Sequence, residues 1–231
     1  MPKESTSIRA RLLKKFNDLI YIQGYEQTTV RQVAEECGIG RGHLYFYYSK
    51  KEQFPIALRK DLLQKIEVIL DDEPPFAGYG LLQRFFASFL LVRFMIARRA
   101  ELYRVQAEYA SHPQVMDGFA EQQAEKLFPA LNGMGIGWSR EMVMESLSGA
   151  VYGELALLRQ RYVTTRGEID HAFLFQYFNN ILFFSLNKNR KSEVAKMAAA
   201  VEKEFGLRAE HLMRRVYAME AFNYAFSPPA N

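Results

Sequence analysis

Residues 28–54 read TTVRQVAEECGIGRGHLYFYYSKKEQF, and this stretch decides the fold. Thr28-Thr29 offers an N-cap for a short helix, VRQVAEEC, because a threonine hydroxyl satisfies an amide that the first turn leaves free. Gly38-Ile39 makes a turn, and a second short helix follows from about Gly40 to Tyr47. Two short helices joined by a turn with glycine at its start form the helix-turn-helix pattern. Val33 and Ala34 face inward, and the small Ala34 lets the helices cross closely. Gly38 takes a backbone conformation that a side chain would strain. Ile39 plugs the space between the helices. Leu44 and Tyr48 anchor the second helix to a three-helix core completed by residues 7–23, where Ile8, Leu12, Phe16, Leu19 and Ile20 recur at helical spacing. Gly24 stands where that first helix would end on a left-handed residue.

Outward from this stretch the pattern is helical nearly throughout, with no alternating run bounded by turns that would mark a hairpin. A long helix begins near Lys50, with Phe54, Leu58, Leu62, Ile66 and Ile69 or Leu70 on one face. Beyond Pro74-Pro75 the expected helices span about 79–98, 100–111, 113–131, 139–163, 168–187, 191–205 and 207–225. Breaks are expected at His112-Pro113, Gly133–Gly137, Thr164–Gly167, Asn187–Arg190 and Gly206. The fold class is all-α.

Composition sets the outer limits. The chain has 231 residues, 49% hydrophobic and 24% charged, the balance of an ordinary globular protein with ample core material. A single Cys37 excludes an intrachain disulfide framework and any thiolate-rich metal site. It reads as a small buried hydrophobe or, alternatively, as a redox sensor. The four histidines are scattered, so no metal site is expected. The start, MPKESTSIRARLLKK, lacks the apolar core of a signal peptide. The most apolar run, Phe85–Ala97, is shorter than the roughly 20 residues of a membrane helix and carries Arg93 in its middle. A cytoplasmic protein with no membrane partner is expected. Charge is uneven: residues 1–65 hold 12 Lys/Arg and 7 Asp/Glu, whereas the remainder holds 18 and 19. A basic first quarter suits a polyanion partner or, equally, a solvated helix face.

The segment resembles the DNA-binding domain of the TetR family of bacterial one-component repressors. The resemblance rests on Thr29-Val30-Arg31-Gln32-Val33-Ala34, Cys37-Gly38-Ile39, Gly42-His43-Leu44-Tyr45-Phe46-Tyr47-Tyr48 and Lys51-Glu52-Gln53-Phe54, and covers about residues 7–60. It implies a helix-turn-helix DNA-binding domain over residues 1–52 and a helical effector-binding and dimerisation domain over 53–231. The chain departs from the family at Gly40 and His43, where Ser or Thr is common, and at Tyr47-Tyr48, where His or Tyr then Phe is common. These departures bear on which operator is read. Gly40 and Gly42 each weaken the helix by about 1 kcal/mol relative to alanine, so packing of Leu44 and the DNA itself must order it.

The resemblance places Gly40–Tyr47 in the major groove of a double-stranded operator. Arg41 can then reach guanine O6 and N7, and His43 can donate to a base acceptor. Gly42 lets backbone approach a phosphate or a thymine methyl. Tyr45 and Tyr47 offer hydroxyls to phosphates, and Lys51 lies beside the DNA backbone near a helix N-terminus. Thr29 and Arg31 fit further backbone or base contacts. Against these stand plainer readings: Tyr45 as a partly buried core residue, His43 as an ordinary surface histidine, Lys50 and Lys51 as a solvated face.

For the remainder, the family implies an effector pocket. Candidate wall residues are Phe86, Phe89, Phe94, Tyr103, Met116, Phe119, Met144 and Tyr152, with Glu108, Glu154 or Arg159 as orienting polar groups; plain core packing is the alternative for each. Such a lining would suit an apolar or aromatic small-molecule effector, and no cofactor is expected. Segments 139–163 and 168–187 are candidates for a homodimer contact, the first through a strip of Ser146, Gly149, Ala150 and Gly153, or else for close packing inside one subunit. Residues 191–226 either cap the ligand domain or extend the dimer. No phosphate loop, dinucleotide turn, HExxH or nucleophile elbow is present, which argues against an enzyme. The sequence reads as a ligand-released repressor that binds a palindromic operator as a homodimer. An activator or a regulator under a protein partner is the alternative, and a helical enzyme a remote one.

Overall fold

The structure, a computed structural model, describes residues 2–164 and 170–219, with side chains from residue 8 onward. Among these residues there are helices and turns and no strand. The first three helices are α1 (Pro2–Gln23), α2 (Val30–Glu36) and α3 (Arg41–Tyr47). Leu12, Phe16, Ile20, Val33 and Leu44 are fully buried between them. Gly24 ends α1 at φ +89° and Gly38 opens the α2–α3 turn at φ +64°, the two left-handed positions that the sequence assigns to glycine. Thr29 is the N-cap of α2: its hydroxyl accepts from the Gln32 amide at 3.1 Å while Gln32 Oε1 accepts from the Thr29 amide at 2.9 Å. Thr28 points inward instead and donates to the Gly24 carbonyl at 2.8 Å.

The long helix, α4 (Gln53–Asp71), starts three residues later than the spacing predicts. Ser49–Glu52 form a turn, closed by Gln53 Oε1 accepting from the Ser49 amide at 2.8 Å. Phe54, at the head of α4, stacks on both Phe16 (4.4 Å) and Tyr48 (4.1 Å), so the first three helices and α4 share one aromatic core.

A 3-10 turn at Phe76–Gly78, unmarked in the sequence pattern, leads into α5 (Leu81–Arg98). Every residue from Phe85 to Ile96 is buried. The helices α6 (Ala100–Tyr109), α7 (Pro113–Gly133), α8 (Arg140–Thr164) and α9 (His171–Leu182) pack around it and one another. α9 stops short of the expected residue 187 because the chain turns at Phe183, whose ring meets Phe86 and Trp138. The strip of small residues on α8 seats α9 within the same chain: a Cβ at Gly153 would lie 3.0 Å from Ile181 Cδ1. Last come α10 (Lys188–Gly206) and α11 (Ala209–Ala218). Both pack on α5, and Arg215 ties α11 to Asp72 and Glu73 beyond α4. These helices cap the larger bundle within the chain. Residues 165–167 of the expected break, and the continuation of the last helix to about 225 with Phe222, lie outside the described residues. Among the described residues no helix is long and apolar enough to cross a membrane.

Two contacts fix how α4 meets the bundle. Glu67 of α4 accepts from Arg84 of α5 at 2.9 Å and from Lys126 of α7 at 2.6 Å. Gly118 of α7 lies against Ile56 of α4, where an added Cβ would sit 2.3 Å from Ile56 Cδ1. Gly118→Ala should therefore lower unfolding free energy by about 1–3 kcal/mol in urea titration. Gly133→Ala, at the open end of the same helix with nothing within 4 Å of the new methyl, should leave it unchanged or raise it by up to about 1 kcal/mol.

Candidate functional site

Helix α3 buries Leu44 and turns its opposite side outward. Arg41, Gly42, His43, Tyr45 and Phe46 are exposed, and Tyr47 is half-buried. At roughly 100° per residue, Gly42 and Phe46 form the outermost ridge. Arg41 and Tyr45 flank it on one side, His43 and Tyr47 on the other. The Arg41 guanidinium donates to the Tyr45 hydroxyl at 3.1 Å and stands 5.5 Å over its ring. His43 and Tyr47 rings are 5.4 Å apart. These neighbour contacts hold each long side chain along the ridge. A Cβ at Gly40 or Gly42 would meet nothing within 4 Å, so backbone lies open there. Phe46 is 80% exposed. The sequence reading passed over it, although its place two residues past the inward Leu44 was the available signal.

The other expected DNA-facing residues sit beside this ridge with partners of their own. Thr29 is exposed, but its hydroxyl serves the cap of α2. Arg31 is paired with Glu35 at 2.7 Å on the exposed face of α2. Lys51 lies in the turn before α4 and points back, its ammonium 4.1 Å over the Tyr25 ring and 3.5 Å from the Glu26 carbonyl. Burial there lowers its pKa, against the pull of Glu26. Arg9 of α1, not singled out from the sequence, reaches the Tyr47 carbonyl at 3.4 Å and adds an exposed cation beside α3.

Helix α6 grips the end of α1 from behind. Arg104 donates to the Ile20 and Tyr21 carbonyls at 3.2 and 2.6 Å; the first also accepts from the Gly24 amide at 2.9 Å, and the second is one of the groups that a helix C-terminus leaves unpaired. The Glu108 carboxylate accepts the Tyr25 amide. It fills the space where a Cβ of residue 24 would lie, at 2.8 Å, so glycine is required there on two counts. His112 then meets Glu26 at 2.8 Å and the Tyr25 ring at 4.7 Å.

A cavity of about 80 Å³ opens between these same elements. α1 contributes Ile20, α4 Leu58 and Arg59, α6 Gln106 and Tyr109, and α7 Phe119. Arg59, Gln106 and Phe119 also line a second, smaller hollow of about 10 Å³, where Arg93 of α5 and Glu154 of α8 form a buried ion pair. The Arg93 guanidinium is stacked 3.1 Å from the Phe89 ring centroid, and Arg59 stands 4.5 Å over Phe119. Burial, aided by the like charge of Arg93, pulls Arg59 down to about 9, and Glu154 opposes the shift. Arg59 is still protonated at neutral pH.

Of the eight candidate wall residues, Phe119 lines this cavity. Phe89 backs it through Arg93. Phe86 packs on Phe175 and Phe183, and Phe94 on His171 and Phe205. Tyr103 donates to the Leu158 carbonyl at 3.1 Å and borders a separate shallow hollow with Tyr162. Met116 is buried and Met144 packs partly buried against the core. Tyr152 donates to Asp117 at 2.8 Å. Among the polar candidates Glu154 lies at the smaller hollow, whereas Glu108 serves the α1 clasp. Among the described residues no group of His, Cys, Asp and Glu could hold a metal ion.

Residues 13–58 match the family model of bacterial regulatory proteins, tetR family. The chain is 28% identical over 74 residues to YerO, an uncharacterized HTH-type transcriptional regulator of Bacillus subtilis (strain 168). That alignment takes in 29% of this chain and spans about a quarter, 26%, of the relative's length. Two solved structures are similar over most of both chains. RolR, in complex with the ligand resorcinol, has a TM-score of 0.51 at 17% identity, covering 86% of this chain and 96% of RolR. Full-length TylP, a TetR regulator from Streptomyces fradiae, has a TM-score of 0.47 at 18% identity, covering 87% and 98%. The likeness to RolR is one of fold: a small N-terminal helix-turn-helix unit followed by a larger helical bundle. The match to the tetR family of bacterial regulatory proteins thus falls on the domain formed by the first helices and the head of α4.

Proposed function

We propose that this chain is a cytoplasmic transcriptional repressor that binds a palindromic double-stranded operator as a homodimer and is released by a small-molecule effector. It acts as a regulator and not as an enzyme. The observation that carries the reading is the outward face of α3, where Arg41, His43, Tyr45 and Phe46 stand exposed around an open backbone while Leu44 fastens the helix to its core. In the major groove Arg41 reads a guanine, and Phe46, on the outermost ridge, meets a thymine methyl. Tyr45, Tyr47 and Lys51 take phosphates, which set register.

Two half-sites roughly 34–36 Å apart or more need two copies of α3. The exposed Phe173 and Phe184, at the α9 end of the bundle, support a dimer contact there. The effector reading draws support from where the cavity lies. Its walls come from α1 and α4, which carry the helix-turn-helix, and from α5, α6 and α7 of the bundle. An occupant that fits better when these two sets stand apart shifts the protein toward a state with its recognition helices wrongly spaced. A coupling of about 1–3 kcal/mol changes operator affinity roughly 5- to 150-fold.

Selection from a randomised duplex pool tests the reading. An inverted repeat should be enriched, and its affinity should fall steeply with salt as phosphate contacts release counterions. No enrichment at any salt would sink it. On the selected duplex, Arg41→Ala should cost roughly ten- to a hundred-fold in affinity and relax the preference at one G·C pair. Phe46→Ala should relax the preference for thymine at one position and leave the salt slope unchanged, since it removes no phosphate contact. Fluorescence anisotropy across single-base variants reads both.

A further inference from the structure

Two guanidinium groups, Arg59 and Arg93, line the small hollow that shares its Arg59 wall with the cavity, and Glu154 is the one carboxylate among the described residues that lines it. Glu154 is fully engaged: Arg93 Nε donates to Oε1 at 2.6 Å and Nη2 to Oε2. Arg93 is 2% exposed, and its Nη1 is buried with no hydrogen-bond partner among the described residues. Arg59 Nε is likewise buried without one. Asp61, near the mouth, pairs with Lys65. The hollow thus holds one positive charge more than its carboxylate answers, together with two N–H groups that lack acceptors among the described residues. Burying a charge and donors in this way carries a desolvation penalty that a matching anion offsets.

We propose that the cavity binds a small monocarboxylic acid with an apolar or aromatic body, its carboxylate held between Arg59 and Arg93. A carboxylate is planar, with two acceptor oxygens that match the guanidinium fork. A single excess charge fits a monoanion, whereas a phosphate dianion would leave the site negative. The remaining walls, Ile20, Leu58, Val92, Leu102, Val105 and Phe119, give the body an apolar berth. At about 10–15 Å³ for each water-sized body, the cavity holds roughly five to eight of them, which limits the acid to a small one. Arg59 belongs to α4, which continues directly from the helix-turn-helix, and Arg93 to the central α5. The acid would therefore join the two parts that the effector must move. This names the effector class within the ligand-released reading and rests on that reading for its consequence at DNA.

Binding to the full-length protein without DNA tests the site itself. Benzoate, phenylacetate and hexanoate are each titrated by calorimetry against the corresponding amide, with the melting temperature followed in parallel. At least one acid should bind about tenfold or more tighter than its amide. Arg59→Met should erase that preference, and Arg59→Lys, which keeps the charge without the fork, should retain part of it. Without acid, Arg59→Met should melt no lower than wild type, because it removes a charge that has no counter-ion. Equal binding of acids and amides, no binding of any acid up to millimolar concentration, or an unchanged preference in Arg59→Met would overturn the proposal. An acid that binds through Arg59 yet leaves duplex affinity unchanged upholds the site and defeats ligand release. A duplex-binding protein with no acid preference does the reverse.

Discussion

The last turn of α1 is held from outside its own domain. Its carbonyls at Ile20, shared with the Gly24 amide, and at Tyr21 are taken by Arg104, and the next free amide, at Tyr25, by Glu108. Both side chains come from one face of α6, four residues apart. The clasp is possible because residue 24 is glycine: it bends the chain to φ +89° and leaves room for the carboxylate. A side chain there would meet Glu108 and a strained backbone at once. The small N-terminal unit is thus stitched to the bundle by charged hydrogen bonds at a helix end, the strong kind.

This arrangement decides where movement is possible. Phe54 locks α4 to the helix-turn-helix by stacking on Phe16 and Tyr48, so that unit moves with the head of α4. Further along, Glu67 locks the same helix to α5 and α7. Between these two anchorages lie Leu58, Arg59 and Leu62, the stretch of α4 that lines the cavity. In the proposed reading an occupant would press on α4 beyond its Ile56 contact with α7 and would face the α6 clasp across the gap. Packed cores are bistable more than they are elastic, so a small shift there emerges as a change in domain angle.

Much of this was legible in the sequence. The left-handed glycines at positions 24 and 38, the Thr29 cap, and the inward set Val33, Ala34 and Leu44 follow from spacing and conformational preference alone. So does the α1 stripe. The cavity did not follow, for a physical reason. Helix α5 is buried all round, so its phenylalanines look alike in sequence; which side meets a gap depends on how α6, α7, α9 and α10 dock. Phe86 and Phe94 face α9 and α10, while Val92 faces the gap. Arg93 was visible as a charge within an apolar run, but its partner Glu154 is 61 residues away. Arg59 sits among exposed-looking polar neighbours on α4, and only the tertiary fold encloses it. The start of α4 slipped by three residues because residues 49–52 turn first, closed by the Gln53 side chain on the Ser49 amide and by the Gln53 amide on the Lys50 carbonyl.

If the surface at α3 and the clasp at α6 form one coupled unit, DNA bound at the first is felt at the second. Hydrogen exchange of the full-length protein, with and without the duplex that it selects, tests this directly. Exchange should slow on DNA binding in α3, in the turn at residues 24–29 and also in α6 and its exit at residues 100–112. Protection confined to residues 1–52, with 100–112 exchanging as in the free protein, would contradict it.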